Sequence, residues 1–243
     1  MNNYHRKLGL AILLALSWEI ASYFTNGIPA WGQAGTEELT HTCQPNIPTG
    51  RVKCNYPIGD NFEGDLVNGI IEGRGVYVYA NGNRYEGEFR NGKPHGWGLF
   101  ISADDARFEG LFENGTIKNG TVVFPDGNRY EGEFDRVQEV GTDIIMSQPG
   151  GKGRFIFNDG SRYEGEFFAG QIFGMGVLKR PDGTNCTGQF FNPNLDARVV
   201  CTFGNGSSYE GELRGGLPHG EGTMIDANSR RFSGYFRDGE LVE

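Results

Sequence analysis

Apolar and polar residues alternate in short runs along this chain, and the runs recur. In Tyr85-Glu86-Gly87-Glu88-Phe89 the first, third and fifth positions fall on one face of an extended strand, and the two glutamates fall on the other. The word returns as Phe62-Glu63-Gly64-Asp65-Leu66, Phe108-Glu109-Gly110-Leu111-Phe112, Tyr130-Glu131-Gly132-Glu133-Phe134 and Tyr163-Glu164-Gly165-Glu166-Phe167. Cys186-Thr187-Gly188-Gln189-Phe190, Tyr209-Glu210-Gly211-Glu212-Leu213 and Phe232-Ser233-Gly234-Tyr235-Phe236 complete the series. Successive first residues are 23, 23, 22, 33, 23, 23 and 23 apart, a period of 23 with one deletion and one insertion of ten.

A second word follows eleven residues after the first: Gly73-Arg74-Gly75, Gly96-Trp97-Gly98, Gly174-Met175-Gly176 and Gly220-Glu221-Gly222, with Gly151-Lys152-Gly153 displaced by the insertion. Two repeats depart from it, carrying Asn119-Gly120-Thr121 and Ala197-Arg198-Val199. Turn signals such as Asn81-Gly82, Asp126-Gly127 and Asp182-Gly183 close the units. The spacing predicts one β-hairpin per repeat, with position 1 facing 16, position 3 facing 14 and position 5 facing 12. Rings at positions 1 and 5 then lie over bare glycine backbone, which is the packing need that justifies 40 glycines among 18 phenylalanines. Position 16 holds Tyr77, Phe100, Val123, Phe155, Leu178, Cys201 and Met224, all apolar.

These words, their spacing and their number resemble the MORN (membrane occupation and recognition nexus) repeat, in eight copies over residues 62–243. The resemblance implies an all-β fold: an elongated, twisted, antiparallel single-sheet solenoid of stacked hairpins. It also implies scaffolding, dimerisation and membrane or lipid contact. The register extends back to a degenerate unit beginning at Leu39 and pairs the four cysteines as Cys43–Cys54 and Cys186–Cys201. Each bridge is worth roughly 3 kcal/mol in the loop-entropy account.

Residues 1–34 read as a signal peptide. His5-Arg6-Lys7 precedes an apolar run from Leu8, and Gly32-Gln33-Ala34 supplies small residues for cleavage. The alternative is an uncleaved anchor over residues 8–24. Either address is exported (periplasm, cell surface or extracellular), where an even cysteine count implies disulfides. Residues 35–61 are a cap and tether, and residues 136–149 an insertion loop.

Composition narrows the function. A net charge of −9 suits neither nucleic acid nor an anionic membrane. Catalytic motifs and metal-ligand spacings are absent from the sequence, and the chain is expected to be a non-enzyme with no cofactor and no metal site. His95 and His219 occupy the same repeat position five repeats apart, on the order of 50 Å. Arg84, Arg107, Arg129 and Arg162 each stand two residues before Glu86, Glu109, Glu131 and Glu164, a charge ladder that keeps one face solvated.

A single-layer sheet has no second layer to cover its rings. The expected binding face is therefore the aromatic row of Tyr85, Phe89, Phe100, Phe108, Phe112, Tyr130, Phe134, Phe155, Tyr163 and Phe167, and Ile144, Ile145 and Met146 form a second contact at the insertion tip. The expected partner is a protein or a second copy of this chain, with a lipid or a stacked glycan as the alternative.

Overall fold

The computed structural model describes residues 42–138 and 145–242; the leader and Ile144 lie outside them. The chain divides into two units. Among the described residues, one comprises those from Thr42 to Gly151 with Phe155–Asn158, and the other comprises Lys152–Arg154 with the residues from Asp159 onward. The first carries β1 (Thr42–Gln44), β2 (Gly50–Asn55), β3 (Asn61–Val67), β4 (Ile70–Val78), β5 (Arg84–Arg90), β6 (Lys93–Ile101), β7 (Arg107–Glu113), β8 (Thr116–Val123), β9 (Arg129–Gln138) and β10 (Ile145–Ile156). The second carries β11 (Arg162–Phe168), β12 (Gln171–Lys179), β13 (Asn185–Phe190), β14 (Ala197–Thr202), β15 (Ser208–Arg214), β16 (Leu217–Ile225), β17 (Arg231–Arg237) and β18 (Glu240–Val242). The described residues are all-β, without a helix. Within each unit every strand pairs antiparallel with the next, so each is a solenoid-like succession of hairpins.

The register bears out most of the periodic reading. Tyr85 faces Phe100 and Gly87 faces Gly98. Position 5 departs from it: Phe89 faces Pro94, across a bulge that the sequence count did not contain. The first glycine of Gly-x-Gly is what the bulge requires. Gly96 has φ +69°, and a β-carbon there would lie 2.5 Å from Glu88 Oε2. That glycine pairs with position 5 of the following repeat instead, as Gly73 does with Phe89. Of the two hairpins without the word, β13–β14 runs straight with no bulge, while β7–β8 keeps a shorter register shift between Leu111 and Phe112.

One expectation at position 16 is corrected. Val122, not Val123, faces Phe108, and it is buried while Val123 is exposed. The deleted residue comes out of the bulge segment between Ile117 and Gly120, in the repeat that lacks the first glycine, so everything after it moves by one.

The insertion is corrected too. Residues 136–138 and 145–149 are strand rather than loop: β9 has 10 residues and β10 has 12, where β5 has 7 and β6 has 9. Ile145 and Met146 thus begin a strand, and Met146 is half-buried rather than offered at a tip.

The core is the ring face. Tyr85, Tyr130, Tyr163 and Tyr209 are fully buried, and the rings of Tyr85, Tyr163 and Tyr209 each lie on a glycine pair. Each hydroxyl donates to a backbone carbonyl three residues on, those of Glu88, Glu133, Glu166 and Glu212 at 2.6–3.2 Å. Rings meet edge to face within a repeat (Tyr85–Phe89, 5.0 Å) and across repeats (Tyr85–Phe112 and Tyr163–Phe190, both 5.1 Å).

Turns lock neighbouring repeats along both edges. Gly92 N donates to Ile71 O and Gly115 N to Pro94 O on one side. On the other, Ala80, Ala103 and Asn158 N donate to the side chains of Asp60, Asn83 and Asn128 at 2.8–2.9 Å. Inside the closing turns at Asn81, Asp126, Asp159, Asp182 and Asn205 that residue's side chain accepts from the N–H two residues on, as Asp182 does from Thr184 at 2.8 Å. Hydrogen bonds from Thr184 hold the Asp182 carboxyl below its ordinary range.

Candidate interaction surface

The aromatic row is not a surface. Tyr85, Phe89, Phe100, Phe108, Phe112, Tyr130, Phe134, Phe155, Tyr163 and Phe167 are all buried, which corrects the expectation that they are open to a partner. The physical reason is that glycine lets each ring lie flat on its own sheet, so backbone covers one side and neighbouring rings cover the edges. Rings approaching from the turns add to this: Phe157 lies 4.8 Å from Phe155, and Phe124 6.2 Å from it. A second layer is unnecessary. Burial also raises the phenol of Tyr163, pushing it up to about 12 from an ordinary 10.

What solvent meets is the opposite face. Arg84 pairs with Glu86 at 2.6 Å and Arg129 with Glu131 at 2.7 Å, each along its own strand, and Lys53 bridges to Glu63 on the next at 3.0 Å. Pairs this exposed add little stability, about 0–1 kcal/mol. They keep the face wet.

Apolar side chains interrupt that polar face, and two groups of them stand out. On the N-terminal unit Trp97, 65% exposed, sits directly across from exposed Leu111. On the C-terminal unit Phe168 (67% exposed), Phe173, Met175 and Phe191 are all exposed. The rings of Phe168 and Phe173 lie 6.1 Å apart. Phe191 follows the Phe190 that pairs with Gly174, one rung from Phe173. Periodicity did not single these residues out, because they occupy positions that are polar or charged in other repeats. That departure from the repeat is the signal that could have found them.

The remaining sequence candidates are structural. Cys43 faces Cys54 and Cys186 faces Cys201 across adjacent strands, and both pairs are disulfide-bonded as the register required. His219 lies 3.7 Å from Asp238 and beside the Tyr235 ring, while His95 keeps a buried Nδ1 without a hydrogen bond. Among the described residues no three His, Cys, Asp or Glu side chains gather as metal ligands, and no helix is long and apolar enough to cross a membrane.

Successive hairpins, rings on paired glycines and turn-to-turn hydrogen bonds define a β-hairpin repeat protein. The chain carries MORN repeats: the MORN repeat family model matches residues 62–84, 85–107, 146–162, 163–185 and 209–229. No curated protein matches the chain. Among solved structures, the SAS-4 (dCPAP) TCP domain of Drosophila melanogaster, in complex with a proline-rich motif of Ana2 (dSTIL), is 11% identical with a TM-score of 0.40. That match covers 84% of this chain and 96% of the other. The wild-type TCP10 domain of Danio rerio CPAP is 14% identical with a TM-score of 0.30, over 76% of this chain and 89% of that one.

Proposed function

We propose that this chain is a non-catalytic, exported scaffold that binds another protein through the outer face of its C-terminal unit. The observation that carries the reading is the cluster of Phe168, Phe173, Met175 and Phe191, all exposed on a face whose recurring positions are mostly polar. Contiguous apolar surface of this kind is costly in water, and covering it is what a protein partner supplies. Two disulfides support an oxidising compartment. The acidic balance weighs against an anionic lipid surface as the main contact.

The test compares the full chain with a Phe168→Ser, Phe191→Ser variant. Both substitutions fall on exposed side chains, so circular dichroism should be unchanged. Cross-linking and affinity capture from the native compartment should lose a reproducible partner in the variant. Sedimentation of the pure chain separates self-association from a foreign partner. Identical partners and identical sedimentation for both proteins would remove the patch from the function.

A further inference from the structure

The outer face of the C-terminal unit contains an open groove of about 850 Å³ across β13 to β17. One line of side chains crosses it: Thr187 faces Val200, Val200 faces Glu210, Glu210 faces Thr223 and Thr223 faces Ser233. Arg198 borders it toward one end, and Arg231 and Tyr235 border the other, with Glu221 opposite Tyr235. Four strand spacings make the span roughly 19 Å.

The sequence explains why the groove is here. In the N-terminal unit this face is filled by Arg84–Glu86 and Arg129–Glu131. The same arginine position holds Asn185 and Ser208 in the repeats that begin at Cys186 and Tyr209. The glutamate position holds Thr187 and, in the last repeat, Ser233. Position 4, acidic in Asp65, Glu88, Glu133, Glu166 and Glu212, becomes Tyr235, which is 49% exposed. Short hydroxyl side chains replace long charged ones, and an open ring replaces an acid.

The charges in the groove are unevenly spent. Arg198 is held by Glu212 at 3.4 Å, and Arg231 Nε donates to Ser233 Oγ at 3.5 Å. Glu210 and Glu221 have no ion-pair partner among the described residues. Thr223 and Ser233 share one hydrogen bond at 3.0 Å, leaving hydroxyl capacity over.

These features select against three ligand classes. Strands β14 to β16 spend their backbone groups on neighbours at both sides, so an extended peptide has no edge to extend. An amphipathic helix would bury the Glu210 carboxylate under its apolar face. Glu210 and Glu221 balance Arg198 and Arg231, and Arg198 is already held by Glu212, so the groove has no net positive charge to hold phosphate or another anion. An uncharged polyol meets none of these objections. Its hydroxyls can donate to Glu210 and Glu221 and accept from Thr187 and Arg198, while its C–H face rests on Tyr235 and Val200.

We propose that the β13–β17 groove binds a neutral pyranose chain, stacked on Tyr235 and hydrogen-bonded by Glu210 and Glu221. The site is distinct from the Phe168–Phe191 patch, and either can fail without the other. Isothermal titration of the full chain with cellohexaose and chitohexaose tests it, with hexagalacturonate as the charged counterpart. One or both neutral chains should bind, and Tyr235→Ala and Glu210→Ala should each weaken that binding by roughly tenfold or more. Trp97→Ala, on the other unit, should leave it unchanged. No binding of either neutral chain, undiminished binding in either groove variant, or tighter binding of the charged chain overturns the proposal. A protein partner whose cross-links map to Glu210 and Tyr235 overturns it as well.

Discussion

Gly176 lies opposite Gly165 beneath the ring of Tyr163, and replacing it with alanine isolates the packing principle of this fold. The three atoms nearest a β-carbon at that position all belong to Tyr163, with Cζ at 2.5 Å. The backbone there is not left-handed, so the cost comes from the ring and not from φ. The ring must lift, an overpacking cost of about 1–3 kcal/mol. Lifting it also breaks the hydrogen bond from the Tyr163 hydroxyl to the Glu166 carbonyl, now 3.2 Å, worth about 1 kcal/mol. Gly176→Ala should therefore destabilise by roughly 2–4 kcal/mol, read from the urea midpoint at constant slope. The decisive measurement repeats the substitution in a Tyr163→Leu background. With the ring gone the added methyl has room, and its cost should fall below about 0.5 kcal/mol. An equal cost in both backgrounds would refute the ring-on-glycine account.

Three further outcomes are expected. Replacing Cys186 and Cys201 with alanine, which opens a bridge between residues 15 apart, should cost about 3 kcal/mol by equilibrium unfolding, and no change in midpoint would count against the staple. Asn83→Ala removes the acceptor for Ala103 N–H and should destabilise by about 1–3 kcal/mol, with faster amide exchange at Ala103 as its specific signature. Burial raises the Tyr163 phenol from 10 to about 12, so the folded chain holds that proton more tightly than the unfolded one. Stability is then intact below pH 10 and declines as pH rises toward 12; tyrosinate absorbance at pH 10 that the folded chain shows and a folded Tyr163→Phe variant lacks would contradict this.

Outside the repeat shortened by one residue, sequence alone carried the hairpins, the pairing of positions 1 with 16 and 3 with 14, and both disulfides, because side-chain alternation and strand pairing are counting problems. It missed what counting cannot see. The bulge at Gly96 depends on a positive φ, which leaves no trace in alternation, so position 5 was assigned the wrong opposite number. The expectation of an open aromatic face treated layers as the unit of burial, whereas here the rings are large enough, and the glycines bare enough, for one layer to close over itself. Asp60, Asn83 and Asn128 look like ordinary turn residues, yet each binds the following repeat. Their recurrence two residues before each ring was the available clue. The outer-face patch and groove were legible only as substitutions against the repeat, and their neighbours across strands came from the structure.

Because rings and glycines on one face hold each unit together, the side chains on the other carry almost no structural duty. Positions such as 187, 210 and 235 can be rewritten without disturbing what keeps the hairpins in register. A lineage that copies this 23-residue unit therefore inherits a stable support and a nearly blank page with every copy. Divergence should accumulate on the outer positions while the inner ones stay uniform, and new specificity can arise by editing a single repeat.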